Sequence, residues 1–198
     1  MTESLAKPAE TIVPISPLIA NRWSPRVFDP SHELSHGDVL ALAEAARWAP
    51  SSNNQQPWHA VFLTRDNPLF QQVSEKGLTG FNQSWAPAAS AYVVMLARKY
   101  QEDKERNQAA TYYDLGLASM QLVIQAEYMG LKSHFMGGII HDEISQILNI
   151  TDHWVVCVIT VGKQGSIDQV SDELKTRETA SRSRVDSASA WSVNQRLK

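Results

Sequence analysis

Residues 104–129 read KERNQAATYYDLGLASMQLVIQAEYM, and this stretch decides which class of fold the chain adopts. Its apolar residues recur at helical spacing but occupy more than one face, and such a helix has to be covered on several faces. We therefore expect a long helix that is central in the domain or shared between subunits and that ends at Gly130, a typical C-terminal cap. One face carries Ala109, Tyr113, Gly116, Met120, Val123 and Glu127, and another carries Leu115, Ala118, Leu122 and Ala126.

Outward from this helix, shorter helical and extended segments alternate along the chain. Continuous apolar or β-branched runs indicate strands, and apolar stripes bounded by Pro or Gly indicate helices. The segments interleave, yet the glycine-rich fingerprint of a doubly wound nucleotide-binding fold is missing, which favours an α+β class. Residues 166–198 show no sustained period. We expect strands at 58–64, 89–98, 131–136 and 154–161, and helices at 17–22, 36–48, 68–76 and 141–148.

The composition is typical of a globular protein with a substantial hydrophobic core. Of 198 residues, 43% are hydrophobic and 20% are charged, and the formal net charge is −3 with a pI near 6.1. This balance gives no support for nucleic-acid binding, which usually shows as a basic excess. No apolar run approaches the ~18 residues of a membrane helix, and residues 1–16 lack a signal-peptide pattern, so we expect a cytoplasmic protein. Cys157 is the only cysteine, which excludes an intrachain disulfide and favours a buried, inert thiol.

Two short arginine motifs near opposite ends of the chain are candidate anion sites. In Arg22-Trp-Ser-Pro-Arg26 two guanidinium groups flank a hydroxyl, and Arg182-Ser-Arg184 has a similar arrangement. Arginine offers forked donors that match phosphate oxygens, and serine adds a neutral donor. Each motif alone also has a plainer interpretation. The first is then a solvated basic turn anchored by Phe28, and the second a charged, frayed tail.

A polar loop and a glycine pair are further candidate ligand contacts. Residues 50–57 read PSSNNQQP, which cannot bury itself as helix or strand and offers amide and hydroxyl groups to a polyol or a heterocycle. The alternative is an ordinary turn, since Ser, Asn and Pro favour turns for backbone reasons. Gly137-Gly138 follows a predicted strand and lets main chain approach a flat ligand, although glycine pairs end many strands. The six histidines are scattered without metal-ligand spacing, so no metal site is predicted.

The order of these motifs resembles that of the FMN-dependent nitroreductase family. The resemblance covers about residues 17–191, through RWSPRVF (22–28), APSSNNQQPW (49–58), GFNQSWAPAASAYVV (80–94), the long helix, MGGI (136–139) and SRSR (181–184). It implies an intertwined α+β homodimer with a central mixed or antiparallel sheet flanked by helices, and FMN between the subunits. After a flexible arm at 1–14, residues 15–198 would form one FMN-binding domain. Within it, 185–198 would reach across the partner with Trp191 as an anchor.

Carried over residue by residue, the resemblance implies a role for each motif in holding the cofactor. Arg22, Arg182 and Arg184 would hold the FMN phosphate, and Arg26 would stabilise negative charge near N1 and O2 of the reduced flavin. Asn82 would contact the ring edge, and a main-chain N–H of the glycine pair would face flavin N5. The remaining implied contacts come from the first motif, the glycine pair and the loop of the other subunit: Trp23, Ser24, Gly137, Gly138, Pro50, Ser51, Ser52 and Asn54.

The chain departs from the family pattern at two positions. Trp85 stands where some members have a lysine that touches the ring, and Gly137 stands where others have an acidic residue. With no charge at position 85, Arg26 is the one cation expected at the pyrimidine edge of the flavin. Both departures bear on substrate preference and on redox tuning.

The resemblance also implies an enzyme that uses NAD(P)H. Hydride would pass from NAD(P)H to flavin N5, and an electron-poor acceptor such as a nitroaromatic or a quinone would then take its place in a ping-pong cycle. Such a cycle needs no catalytic side chain, because the cofactor carries the chemistry. One alternative is a narrower task, such as enone reduction, dehalogenation or dehydrogenation, selected by residues 74–85 or 100–111. Another is a non-catalytic protein that stores or senses FMN.

Overall fold

The computed structural model describes residues 5–194. Within them β1 (Trp58–Thr64), β2 (Ala91–Arg98), β6 (His153–Gly162) and β5 (Lys132–Met136) form a sheet in that order, and every neighbouring pair is antiparallel. β2 lies inside the sheet and is covered on both faces, so seven of its eight residues are buried and its sequence is apolar at successive positions. The strand predictions are confirmed, with ends that shift by at most two residues.

Helices cover both faces of this sheet and create two hydrophobic clusters. On one face, α2 (His36–Arg47) packs against the long helix α5 (Gln108–Tyr128). The other face is covered by α3 (Pro68–Gln72), α4 (Asn82–Trp85) and α6 (His141–Ile147). The α+β class, with a sheet flanked by helices, is therefore confirmed. The remaining short elements are α1 (Pro17–Asn21), a π-helical turn at Val73–Gly77, and 3-10 turns at Ser52–Asn54, Ala86–Ala88 and Ile167–Gln169.

The start of α5 differs from the sequence expectation. The Asn107 side chain accepts a hydrogen bond from the N–H of Ala110 at 3.0 Å and caps the helix, which therefore begins at residue 108. The prediction that this helix begins at residue 104 is wrong, because Tyr100–Gln101 (β3) and Lys104–Glu105 (β4) pair as a short hairpin before it. Neither α5 nor any other helix within residues 5–194 combines the length and apolar character that a bilayer span requires.

The C-terminal region contains two helices for which its sequence gives no sign. α7 (Asp172–Thr179) and α8 (Ser187–Ala190) lie in the segment for which no element is predicted. Of the eight side chains of α7, only Leu174 and Glu178 are buried, and one of these is charged, so no apolar stripe appears. Trp191 is 57% exposed. The last four residues of the predicted exchanged arm lie outside the described part of the chain.

Residues 5–14 lie on the domain without forming a helix or a strand. The N–H of Ala9 donates to the carbonyl of Ala20 at 2.8 Å, and the carbonyl of Leu5 accepts from the Gln164 side chain at 3.1 Å. This segment is therefore anchored to α1 and to the chain after β6. The predicted flexibility of the arm at 1–14 stays a prediction.

Candidate functional site

The two arginine motifs from opposite ends of the sequence lie side by side. The Arg182 guanidinium donates to the carbonyl oxygens of Ala20 at 2.9 Å and Arg22 at 3.1 Å, and also to that of Lys7. The carbonyls of Ala20 and Arg22 lie at the end of α1, where the helix leaves carbonyls without intrahelical partners. The Arg22 side chain donates to Ser24 Oγ at 3.3 Å. Arg182 therefore fixes the main chain from which Arg22 extends.

Positive charge dominates the arginine cluster, which we define as Arg22, Arg182 and Arg184. Burial lowers the pKa of Arg22, and the neighbouring Arg182 and Arg184 lower it further, while Glu127 acts against them. A bound anion relieves repulsion of this kind, and arginine donors match phosphate oxygens. The donor set therefore fits a phosphate monoester, the group predicted for this place.

Trp23 anchors the first arginine motif in the core. Its ring is 5% exposed, and the Lys7 ammonium lies 4.5 Å from the ring centroid. Its indole nitrogen is buried and has no hydrogen-bond partner within the described residues. Because the ring is turned inward, the predicted contact of Trp23 with a cofactor would be made by its main chain.

Arg26 is held through its main chain and keeps its side chain available. The Glu178 carboxylate of α7 accepts from the N–H of Arg26 at 2.9 and 3.2 Å and from the N–H of Val27 at 3.3 Å. Within residues 5–194 the Arg26 guanidinium forms no ion pair. Burial lowers the pKa of Arg26, and the Glu178 carboxylate acts in the opposite direction. A half-buried, unpaired cation suits a ligand on which negative charge develops.

His134 of β5 contacts the main chain of the first arginine motif. Its Nδ1 lies 3.0 Å from the carbonyl oxygen of Pro25, and since a carbonyl only accepts, Nδ1 carries the proton. The ring is 9% exposed, and its centroid lies 4.7 Å from that of Trp85. Burial lowers the pKa of His134 to about 4, and the charges of Arg26 and Arg22 act in the same direction. The imidazole is therefore neutral near pH 7.

Asn82 and the glycine pair form another part of the site. The Asn82 side-chain amide donates to the Gly138 carbonyl at 3.1 Å, and the N–H of Thr79 donates to the same oxygen at 3.1 Å. A Cβ atom on Gly138 would lie 2.9 Å from Asn82 Nδ2 and 3.0 Å from Thr79 Oγ1, so glycine is what allows this approach. Gly137 and Gly138 are exposed, and within residues 5–194 their N–H groups donate to no main-chain carbonyl. They are free to donate to a ligand.

The side chain of Trp85 is buried and does not point towards the predicted place of the flavin ring edge. Trp85 is 2% exposed and its ring centroid lies 6.2 Å from that of Phe28, so it belongs to the core. A cation from another element is nearby, because the guanidinium carbon of Arg177 lies 4.3 Å from the ring centroid of Phe81. Arg177 is also among the charges that lower the pKa of Arg26, after burial. The structure therefore places a second cation near Arg26 that sequence reasoning missed.

The amide-rich loop is held by α5. The carboxylate of Asp114, which is 5% exposed, accepts from the N–H of Ser52 with 3.3 Å to each oxygen. Asn53, Asn54 and Gln56 have positive φ angles of 49°, 55° and 45°, a region in which asparagine is enriched among non-glycine residues. The four predicted contact residues of this loop lie at or near the surface: Pro50, Ser51, Ser52 and Asn54.

The loop and the arginine cluster lie towards opposite ends of α5 in one protomer. Asp114 holds the loop near the start of the helix, and Glu127, whose charge acts on Arg22, lies in its last turn. At a rise of 1.5 Å per residue, these two positions are separated by roughly 20 Å. This separation favours a site whose loop comes from a second copy of the chain.

Sequence reasoning missed the residues that hold the site in shape. Glu178 contacts a residue 152 positions away, and His134 contacts one 109 positions away, so no local spacing reveals either bond. Asp114 gives a detectable signal, because it is an acidic residue at a buried position of a helix that is apolar around it. Acidic residues are rarely buried without a specific partner.

Comparisons with known proteins identify the family and the fold. The sequence model of the Nitroreductase family matches residues 19–91 and 67–163. An oxygen-insensitive NADPH nitroreductase of Helicobacter pylori is 26% identical over 183 residues, which cover 74% of this chain and 86% of the relative. A solved structure reported as an oxidoreductase containing FMN is 30% identical, with a TM-score of 0.85 and coverage of 96% of each chain.

A further solved structure shares the fold. It is a putative nitroreductase in complex with FMN from Desulfovibrio desulfuricans, 18% identical, with a TM-score of 0.72 over 93% of this chain and 100% of that one. At this identity the match shows that the two chains share a fold.

Proposed function

Because the chain belongs to the nitroreductase family, we propose that it is an FMN-dependent oxidoreductase that uses NAD(P)H to reduce an electron-poor acceptor. The names of an NADPH nitroreductase and an FMN-containing oxidoreductase among its relatives support both cofactors. When bound, FMN supplies the chemistry, taking hydride from NAD(P)H and passing the electrons to an acceptor such as a nitroaromatic or a quinone. The observation that carries the proposal is the convergence of the two arginine motifs on one anion-binding cluster.

The arginine cluster is proposed to hold the phosphate of FMN. Arg22 and Arg184 would donate to phosphate oxygens, with the hydroxyl of Ser24 beside them. Arg182 already uses three donors on main-chain carbonyls, so it would add its charge and its remaining N–H groups. Charge-assisted bonds of this kind are about twice as strong as neutral ones, which suits the retention of a cofactor.

Arg26, Asn82 and the glycine pair are proposed to hold the isoalloxazine ring. Arg26 would place a fixed positive charge at the pyrimidine edge, where negative charge gathers on reduction. The Asn82 amide nitrogen is committed to the Gly138 carbonyl, so its oxygen is left to accept from a ring N–H. A free N–H of Gly137 or Gly138 would donate to N5, as the resemblance implies.

A second copy of the chain is proposed to complete each site, giving a homodimer with two FMN molecules. Tyr113 is 71% exposed and Met120 is 39% exposed on the face of α5 that the protomer leaves uncovered. A large uncovered apolar face of a central helix marks an interaction surface. Trp191 and Val193, which are 57% and 71% exposed, suit an arm at 185–198 that packs on the partner.

The side chains around the site are proposed to bind and orient rather than to exchange protons. His134 is neutral and its Nδ1 proton is committed to the carbonyl of Pro25. Away from the site, in β6, burial raises the pKa of Cys157 to about 11, so its thiol is a poor nucleophile near pH 7. Arg26 remains as the group that stabilises developing charge, and in that role it changes no bond.

Visible spectroscopy of the purified protein tests the proposal. We expect an oxidised-flavin spectrum that bleaches on anaerobic addition of NADPH or NADH and returns when a nitroaromatic or a quinone is added. A colourless protein that does not take up added FMN would contradict the proposal. Bound yellow flavin without turnover in steady-state assays would instead favour storage or sensing. Turnover only with enones, haloaromatics or other specialised substrates would favour the narrower task.

A further inference from the structure

Glu178 is a charged residue whose side chain has no exposed surface. It lies in the last turn of α7, is 0% exposed, and burial raises its pKa. Burying a carboxylate is costly unless hydrogen bonds compensate it. Both of its oxygens accept from the main-chain N–H of Arg26, at 2.9 and 3.2 Å, and one also accepts from the N–H of Val27 at 3.3 Å. The carboxylate is therefore built into the motif that carries Arg26.

The bond runs to the main chain of Arg26 and leaves its guanidinium free. An ion pair between the two side chains would neutralise the cation, and no such pair is present within residues 5–194. The carboxylate nevertheless acts on the Arg26 charge through space. Glu178 thus fixes the backbone of Arg26 and, as a separate effect, its negative charge acts on the Arg26 guanidinium.

A second cation faces the same carboxylate from the N-terminal segment. The Lys7 ammonium donates to the main-chain oxygen of Glu178 at 2.8 Å, and its charge favours the ionised form of the carboxyl. The same ammonium lies 4.5 Å from the ring centroid of Trp23. Lys7 and Arg26 are therefore two cations whose charges both act on the Glu178 carboxylate, and we call these three residues the charge group.

We propose that Glu178 is a positioning residue that tunes the reduction potential of the cofactor beside Arg26, and this inference rests on the proposed FMN site. Positive charge near the ring favours the reduced and more negative form of the cofactor. The fixed negative charge of Glu178 opposes that effect, while its hydrogen bonds hold Arg26 in place. A change that removes the charge but keeps the side-chain shape and one oxygen, which can still accept from the N–H groups of Arg26 and Val27, tests the charge effect.

Glu178→Gln is that change, and the measurement is the midpoint potential of the FMN-loaded protein. The variant should favour reduced over oxidised FMN by about tenfold more than the wild type, a shift of about +30 mV for a two-electron couple. Asp172→Asn is the matched control, because it removes one negative charge from α7 at an exposed side chain that forms no ion pair within residues 5–194, and it should leave the potential unchanged. Equal potentials in the wild type and Glu178→Gln, with FMN bound to both, would overturn the inference.

Lys7→Gln gives a second test that leaves the carboxylate and its main-chain bonds intact. It removes a cation that acts on Glu178, so the potential should shift in the negative direction. An unchanged or more positive potential in Lys7→Gln contradicts the role proposed for the charge group. A wild-type protein that takes up no FMN would overturn the proposed function and this inference together, whereas FMN-bound variants with unchanged potentials overturn the inference alone.

Discussion

Arg22 and Arg26 belong to one five-residue motif but have different surroundings in the structure. Arg22 lies beside Arg182 and Arg184, and their mutual repulsion makes the cluster a receptor for an anion. Arg26 is tied to the Glu178 carboxylate through its main chain, and its guanidinium is left for a ligand. We therefore expect Arg22 to govern how tightly the cofactor is held and Arg26 to govern its electronic properties.

Removing the Arg22 side chain should weaken cofactor retention. Loss of a charge-assisted hydrogen bond costs about 1.5–3 kcal/mol, so Arg22→Ala should raise the dissociation constant for FMN by roughly 10- to 150-fold. The matched control is Arg47→Ala, which removes an exposed arginine of α2 that pairs with Glu44 at 2.6 Å, and its affinity should match the wild type. Fluorescence titration of the flavin-free proteins with FMN measures the dissociation constants. Arg22→Ala protein that binds FMN as tightly as the control would contradict the assignment of Arg22 to the phosphate.

The two glycines of the pair should respond differently to an added methyl group. A Cβ on Gly138 would crowd Asn82 Nδ2 at 2.9 Å and Thr79 Oγ1 at 3.0 Å, whereas nothing lies within 4 Å of a Cβ on Gly137. Gly138→Ala should lower the free energy of unfolding of the flavin-free protein by about 1–2 kcal/mol. Gly137→Ala should change it by less than about 0.5 kcal/mol. Urea unfolding compares the two, and equal losses would show that the close approach is not needed.

The buried histidine predicts how stability depends on pH. Because the folded-state pKa of His134 is lowered from 6.5 to about 4, its contribution is fully present above pH 6.5 and is lost as the pH falls towards 4. The loss amounts to about 3 kcal/mol at its limit. The pKa of Glu178 is raised, so its contribution runs the other way and is lost as the pH rises.

A variant comparison isolates the histidine from this opposing effect. His134→Asn keeps an N–H donor for the Pro25 carbonyl but cannot take up a proton, so unfolding curves between pH 6.5 and 4 should show a flatter dependence. His36→Asn, at an exposed position, serves as the control and should keep the wild-type slope. A slope in His134→Asn that equals the control would refute the role given to this side chain.

At the scale of helices and strands, the elements with an apolar pattern were predicted from the sequence, and those without one were missed. α2 begins at His36 as predicted, because Ser35 and Asp38 cap each other's main-chain N–H groups at 2.8 and 3.1 Å, within four residues of sequence. The hairpin before α5 was missed because its strands have two residues each and no apolar alternation. α7 was missed because its buried Glu178 is stabilised by contacts 151 and 152 residues away.

Some residues of the candidate site could be predicted from the sequence and others could not. The arginines, the polar loop and the glycine pair could be chosen from the sequence because each is a short motif of neighbouring residues with recognisable chemistry. The residues that orient them could not be chosen in this way, since Glu178, His134 and Lys7 act through hydrogen bonds to main chain that is distant in sequence. Asp114 is an intermediate case. An acidic residue within an apolar helical face can be recognised from the sequence, but its hydrogen-bond partner cannot.

The contact between α5 and the loop should matter for the cofactor. Asp114→Ala removes the acceptor of the Ser52 N–H and should weaken FMN binding by about fivefold, the equivalent of about 1 kcal/mol. Ser119→Ala is the control, since Ser119 is also buried on α5 but bonds to its own helix at Leu115. Titration of both variants with FMN compares their affinities, and circular dichroism verifies that the helix is intact. Equal affinities would mean that Asp114 supports the fold and not the loop.

At the scale of the whole molecule, one chain separates the parts of the proposed site. The loop lies near the start of α5 and the arginine cluster near its end, roughly 20 Å apart along the helix axis. The uncovered apolar face of α5 lies between them, with Tyr113 and Met120 exposed. Packing two copies through this face would bring the loop of one chain to the arginines of the other. Cofactor binding would then require the dimer.

A mixed dimer tests this central claim most directly. Arg22→Ala damages the arginine cluster, and Asn54→Gly removes a loop side chain without backbone strain, because Asn54 has a φ of 55°. Each homodimer should bind FMN weakly at both sites. Chains of the two kinds, carrying different tags and purified together as a mixed dimer, should bind one FMN with wild-type affinity, because one site then combines two undamaged halves. A mixed dimer without any wild-type-affinity site would show that each site is built within a single chain.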